Sequence, residues 1–592
     1  MKILFPMLLS AALLTAPACT FLDEEPESFT TVQNMYKTYE DFELAVDGAY
    51  SALSSSSYTI KIDNSLGNYR YGMLALGECG TDEMYAANDN RTNEIMLDTY
   101  SLTSADNTIG AHYGAMYQVI SRANQIICRL DDGRELDDTW RPLLGHALFL
   151  RGLAYFNLVR TFGGVPLITE PLNLGNWQIG LTRNDIQTVY TQIDSDLERA
   201  AAMLPTEAPA DRIGRATRLT VWALEARANL HAAGMKHTAE IAEEVNRGGR
   251  NSYDWVDAAA RYAKACEACK LVFETFPAQL EDIPYGSTFW PNKNGAESIF
   301  EIQFSTDYGV NVGGMIGHAY GLLGTDNGRK WMRPTGNEYF RTLEEGDTRT
   351  EWNQVKAYWN NLGQYVMTND SWNFGFMKYN HDYSDSANGG TPSKTPQNYP
   401  AMRLAEVWLI YAEAQAELAA MGDAHGSWDE ALAALNTVRR RARNGSTTVL
   451  QDIPASYVTS APDFSSNDQS VRNEIYRYLK PVAGVVTMSL NGSNVGTINV
   501  VPGELDTPIE RFRIFLLNER KWELVGEGQR WFDLVRLNYL KRICDALDAQ
   551  FDSEMNNPND LKKMRNVKPF HVFRPIPLRE TDLGVRQNHG YE

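Results

Sequence analysis

Apolar side chains recur along this chain at spacings of three and four, the pattern of helices that bury one face. Phe42, Ala45, Val46, Ala49, Tyr50 and Leu53 make one stripe, and Tyr113, Met116, Tyr117, Ile120, Asn124 and Ile127 a second. Leu143, Ala147, Leu150, Ala154 and Leu158 follow, stopped by Gly163-Gly164. The next stripe runs Ile186, Val189, Tyr190, Ile193, Leu197, Ala200 and Leu204. Thr182 and Asp185 are expected to form its capping box, and Pro205 to end it. Leu219, Ala223, Ala226, Leu230 and Ala233 come next, then Trp255, Ala259, Tyr262, Cys266, Cys269 and Phe273. After a long gap, Ala405, Trp408, Leu409, Ala412 and Ala416 pair with Trp428, Ala431, Leu432, Leu435, Val438 and Ala442. Ser427 and Glu430 predict a capping box for that last helix.

Alanine at so many inward positions lets antiparallel helices approach closely, as tetratricopeptide-like pairs require. The expected fold is mainly α, a solenoid of about four helical pairs. Two stretches break the pattern. Between about 278 and 400 Gly, Asn, Trp and Tyr become frequent, and a loop-rich excursion of that length is usually functional. Between about 445 and 508, Val485–Leu490 and Val495–Val501 flank Asn491-Gly492 and predict a β-hairpin.

Composition narrows the chemistry. Lysine and arginine number 55 against 75 acids, a net charge of −20, which argues against nucleic acid as a partner. The chain carries 13 Trp and 29 Tyr, enough to present some rings in a cleft as well as fill a core. Cys266-x-x-Cys269 extends an apolar stripe, with no second Cys or His pair nearby, and reads as core. No His-Glu-x-x-His, nucleophile elbow or P-loop occurs, and Gly526-Glu-Gly528 lacks the rest of a dinucleotide fingerprint. Asp131-Asp132 and Asp137-Asp138 read as a solvated acidic turn, and Asp382 and Asp385 lack calcium-loop spacing. No cofactor or metal is expected.

Asn518–Arg536 is the densest run of charge and aromatic rings. On one helix Glu519, Glu523 and Glu527 would share a face, with Arg520, Arg530 and Arg536 in reach and Trp522, Trp531 and Phe532 as apolar cover. It reads as an ion-pair network that locks a helix end to its neighbours. The rival reading is a carboxylate active site.

Both ends of the chain carry signatures. Ile3–Leu14 is an apolar run after Lys2, too short to span a membrane and suited to a secretory signal. It stops at Thr15-Ala-Pro-Ala-Cys19, which looks like a lipoprotein cleavage site with Cys19 as the lipidated residue. Of the six cysteines, removing Cys19 leaves an odd five, so a complete disulfide framework is impossible. Thr20-Phe-Leu-Asp-Glu-Glu-Pro26 follows Cys19, and the chain closes on Phe573-Arg-Pro-Ile-Pro-Leu578 and Gln587-Asn-His-Gly-Tyr591. Its two prolines and late glycine predict an extended strap. Together with Gly214–Thr217, Glu297–Phe304, Arg403–Glu406, Tyr411–Glu413, Leu435–Arg441 and the 518–536 run, these resemble the SusD/RagB family of outer-membrane nutrient-binding lipoproteins. The resemblance divides the chain into a signal, 1–18, and one domain, 19–592. The domain's N-terminal part reaches about 277, its loop-rich part spans about 278–400, and its C-terminal part begins at about 401.

The resemblance implies a non-enzymatic surface protein, lipid-anchored at the outer membrane and facing outward. It would capture a glycan or oligosaccharide and deliver it to a SusC-like TonB-dependent transporter. Sugars present apolar C–H faces ringed by hydroxyls, so two stretches suit them. Asp82, Asn88, Asp89, Asn90 and Arg91 would supply hydrogen bonds, and Trp290, Tyr320, Trp359 and Trp372 stacking faces. Trp331, beside the Arg333-Pro-Thr335 landmark, reads as structural. Peptide or glycopeptide cargo is the alternative. A glycoside hydrolase using two carboxylates of Glu519–Asp533, or Glu406 and Glu413, is a remote one, because guanidinium neighbours keep acids ionised.

Overall fold

The structure, a computed structural model, describes residues 35–54, 68–86, 92–238, 251–289, 292–304, 332–334, 346–353, 357–359, 365–367, 378, 397–443, 451–554 and 566–592. The signal segment, Cys19 and the opening after it lie outside these residues. Residues 1–45 and 46–592 form two compact units. In the first, helix α1 (Tyr39–Ser54) begins where Asp41 accepts the backbone N–H groups of Lys37 and Thr38, and Tyr36 packs edge-on to Phe42.

The second unit carries the solenoid. Its long helices are α2 (Asn107–Leu130), α3 (Arg141–Phe162), α4 (Ile186–Met203), α5 (Arg218–His237), α6 (Ala258–Thr275), α7 (Leu404–Met421) and α8 (Trp428–Ala442). Each packs on the next in chain order, and α6 still meets α7 although the whole excursion lies between them. Small residues permit the closeness. A Cβ added to Gly145 or Gly152 of α3 would come within 3.0 Å of Leu204 or Leu197. Every side chain from Leu143 to Phe162 is buried, so α3 is enclosed all round, not on the one face its stripe predicts. Its polar residues find partners inside: Arg151 holds Asp196 with two hydrogen bonds, 2.8 and 2.7 Å.

Capping explains where the helices begin. Asp106 accepts two backbone N–H groups of α2, Asp257 accepts one of α6, and Thr217 with Thr220 completes a box on α5. For α4 the cap is Asp185 itself, accepting Thr188 N at 2.7 Å, so Thr182 is not the predicted partner. Ser427 caps α8 by accepting Glu430 N, without the reciprocal Glu430 bond that a box requires. A box the sequence reading missed, Thr507 with Glu510 and Pro508 at the first turn, opens α9 (Pro508–Leu524).

The strands form small antiparallel ribbons. Ser298–Ile302 pairs with Tyr399–Arg403, Met84–Ala86 with Met332–Pro334, and Ala357–Trp359 with Tyr365–Met367. The expected hairpin is present as Val486–Asn491 against Asn494–Val500, with Gly492 at φ +64° in its turn. It lies on the helix Gln469–Tyr478, where Gln469 Nε2 donates to Val495 O and Val495 N to Asn473 Oδ1. Cys266 and Cys269 are buried in the core, and all five described cysteines are free. The predicted C-terminal strap is interrupted by a short helix, Leu578–Asp582, with non-helical chain at 574–577 before it and 585–588 after it. A proline-flanked segment can still enter a helix, because Pro577 stands before its first turn, where no N–H is missed.

Candidate functional site

The ribbon Met84–Ala86/Met332–Pro334 joins the two stretches the sequence nominates for ligand. Its register sets Met84 opposite Pro334, Tyr85 opposite Arg333 and Ala86 opposite Met332. In an antiparallel pair, the chain after Ala86 and the chain before Met332 leave from the same end. The early loop holding Asn88, Asp89, Asn90 and Arg91 therefore departs where the chain arriving from Tyr320 enters. Trp359 lies on a strand, opposite Tyr365. Asn88, Asp89, Asn90, Arg91, Trp290, Tyr320, Trp331 and Trp372 lie outside the described residues.

Asp82 sits two residues before the ribbon and is buried. Arg530, from α10 (Arg530–Arg536), grips both its oxygens at 2.7 Å, and Lys521 adds a third contact at 3.2 Å. Burial alone would raise this carboxyl, but Arg530 and Lys521 outweigh it and hold it well below the usual range. Both oxygens face inward, so Asp82 anchors the early loop and is not placed to meet a ligand. Glu83 and Glu78 lie beside it, fully inside the protein.

The acidic run resolves into a buried lock. Glu519 and Glu523 lie on α9, but the helix ends at Leu524 and Glu527 belongs to the turn beyond it. Gly526 and Gly528 take φ of +76° and +72° there, a region that favours glycine. The turn sends Arg530 and Arg536 away from these acids, and Arg520 turns from them too. Arg520 and Arg536 hold Asp533 at 2.6 and 2.8 Å, while Arg536 also pairs with Glu413. The cations that answer the three glutamates come from elsewhere in the chain. Arg349 reaches Glu519 at 2.6 Å and Glu523 at 3.2 Å, and Arg439 reaches Glu519 at 3.0 Å. Arg403 meets Glu523 at 2.5 Å, Glu527 at 2.8 Å and Glu297 at 2.8 Å. Arg441 bonds Glu297 and Glu523, Arg349 also holds Asp347, and Lys378 Nζ donates to Glu527 at 2.6 Å.

Charges balance in this lock: Glu297, Asp347, Glu519, Glu523 and Glu527 face Arg349, Lys378, Arg403, Arg439 and Arg441. Burial would push Glu523 up, but Arg441, Arg403 and Arg349 draw its carboxyl far below the ordinary value. A carboxyl so held donates no proton near neutrality. Arg227 grips both oxygens of Glu406 as well. Lys378 and Arg349 belong to the excursion, so the lock ties the excursion to the solenoid. Burial lowers Lys378 to about 8, although Glu527 opposes the shift. The sequence reading missed Arg349 and Lys378, which carry no local motif.

Elsewhere, a groove of about 390 Å³ opens between Asp47–Ser54 of α1, the Asp211–Arg215 turn and Phe300–Gln303. It is lined by none of the nominated ligand residues. The acidic turns are exposed as expected, with Asp131 on Arg199 and Asp132 on Arg134.

A tetratricopeptide-like solenoid with a locked excursion is the class that fold and site define. Residues 21–230 match the family described as starch-binding and associating with the outer membrane, and residues 324–591 match the SusD family, SusD/RagB. The chain belongs to the SusD/RagB family. It is 24% identical to SusD-like protein P25 of Formosa agariphila, over 95% of this chain and 93% of that one. A SusD homologue from Bacteroides thetaiotaomicron superposes with a TM-score of 0.69 at 19% identity, covering 95% of this chain and 99% of the other. Surface glycan-binding protein A of the same organism, solved with laminarihexaose, gives 0.61 at 16% identity, covering 93% and 99%.

Proposed function

We infer that this protein is a cell-surface glycan-binding lipoprotein that captures oligosaccharide and passes it to a SusC-like TonB-dependent transporter. The observation that carries the reading is the Met84–Ala86/Met332–Pro334 ribbon, which ties the root of an amide-rich loop to the middle of an aromatic-rich excursion. Asn88, Asp89, Asn90 and Arg91 supply hydrogen bonds, and Trp290, Tyr320, Trp359 and Trp372 stack on sugar faces. Cys19 carries the lipid that holds the chain at the outer membrane, facing outward. Support comes from the family's starch-binding description and from the relative solved with laminarihexaose.

The protein binds and does not hydrolyse. Glycoside hydrolysis needs one carboxyl that keeps its proton, and Glu523 and Asp533 of the 519–533 run are held ionised by guanidinium partners. Binding is modest in strength, because a delivered ligand must be released. Isothermal titration of the lipid-free chain against a broad glycan panel tests the reading. Binding to one glycan class supports it, and no binding to any sugar defeats it.

A further inference from the structure

The charges at the root of the early loop do not balance. Glu78, Asp82 and Glu83 face only Arg530 and Lys521 in ion-pair range among the described residues. Asp82 takes the best of both cations, and Glu83 is left with Arg530 Nε at 3.5 Å. Glu78 accepts Gly528 N at 2.6 Å through one oxygen. The second oxygen of Glu78 and that of Glu83 accept no donor among the described residues, although both are buried. Two buried carboxyl oxygens left without donors are satisfied when a proton lies between them, since a protonated carboxyl donates and its ionised neighbour accepts. In the lock and in the Asp533–Glu413 cluster, every acid has its own cation.

We propose that Glu78 and Glu83 share a proton, and that losing it as pH rises loosens the anchor of the early loop and weakens ligand binding. The proposal rests on the glycan-binding reading for its last step alone. Among the described residues no cation other than Arg530 and Lys521 stands in ion-pair range of these acids. Asp82 and Cys79 come from the pair's own segment, Glu94 and Asp98 from the helix Thr92–Asp98, and Tyr399 from its strand. Arg530 and Asp533 come from α10, Lys521 from α9, and Arg574 from the C-terminal strap. Arg574 stacks on Trp531 and donates to Leu76 O. Burial and the facing Glu83 raise Glu78, and burial raises Glu83 to about 7 against an ordinary 4.5.

The sign follows from linkage. A carboxyl with a raised folded value binds more protons folded than open, so its contribution is complete below about 4.5 and declines as pH climbs towards 7. Each pH unit inside that window changes the opening equilibrium by up to about ten-fold.

Hydrogen–deuterium exchange of the full chain at pH 5.5 and 7.5, corrected for intrinsic exchange, reads the opening without any ligand. Peptides covering residues 79–91 should lose protection by on the order of ten-fold at the higher pH, while peptides of α3 hold. Glu83→Gln, and separately Glu78→Gln, should flatten that response. Equal protection at both pH values in the unmodified chain overturns the proposal, whether or not either variant folds. So does an undiminished response in both variants. A pH response with no glycan bound at either pH sinks the binding reading and leaves the proton device standing.

Discussion

Arg530 and Asp82 meet in a two-pronged ion pair across 448 residues of chain, both contacts at 2.7 Å. The pair fastens the segment leading to the early loop onto α10, and both partners are buried. Arg530→Met should leave Asp82 charged, buried and served by Lys521 alone. Breaking a buried pair from one side costs about 3–5 kcal/mol. Urea unfolding should show that loss, and adding Asp82→Asn should recover part of it. Additive losses in the double variant would mean the pair is not coupled.

Acid acts on a different set of groups. In Asp82, Asp533 and Glu523 burial alone would raise the carboxyls, but their arginine neighbours prevail and keep the folded values low. A depressed carboxyl contributes stability that is full above its unfolded value, near 4, and drains away as pH falls below it. The Glu78–Glu83 pair has the opposite sign above pH 4.5. Urea midpoints should therefore rise slightly from pH 7.5 to about 5 and fall steeply between about 4 and 2. A midpoint that stays level from pH 5 to pH 2 would count against the ionised lock.

Gly77 and Gly528 touch backbone to backbone. A Cβ on Gly77 would stand 2.0 Å from the Gly528 carbonyl oxygen, and neither side is a flexible chain end that could swing away. Gly77→Ala should cost at least about 1–3 kcal/mol by overpacking. Gly48→Ala is the control, since nothing lies within 4 Å of its added carbon. Thermal unfolding should separate the two. Equal melting temperatures would show that the contact yields.

The solenoid was legible because its information is local. Stripes such as Ile186–Leu204 state which side is buried, and the Asn-Gly turn states where the hairpin reverses. The acidic run was legible as an ion network, yet its partners were not. Glu519 and Glu523 find Arg349, Arg403, Arg439 and Arg441, which lie at least 80 residues away, and spacing carries no information over such distances. Glu527 looked helical because i+4 spacing continued past Leu524, whereas two left-handed glycines ended the helix first. Asp82 read as a ligand residue because a polar loop follows it, and only the fold reveals Arg530 beneath it.

If sugar stacks on the excursion, removing one flat ring should weaken binding and leave the body intact. Trp359 is a suitable probe, since its strand pairs with Tyr365–Met367. Trp359→Ala should lower the affinity for the best-bound glycan of a panel by about ten-fold or more, the loss typical of a buried tryptophan anchor. Arg91→Ala should lower it less, because a solvated hydrogen bond contributes about 0.5–1.5 kcal/mol. A binding role predicts that neither change moves the melting temperature by more than a degree or two. Titration calorimetry with a melting curve on each variant reads both quantities. Unchanged affinity after alanine at Trp290, Tyr320, Trp359 and Trp372 together would show that the glycan is held elsewhere, and the groove beside Tyr50 and Arg215 would then be the place to substitute next.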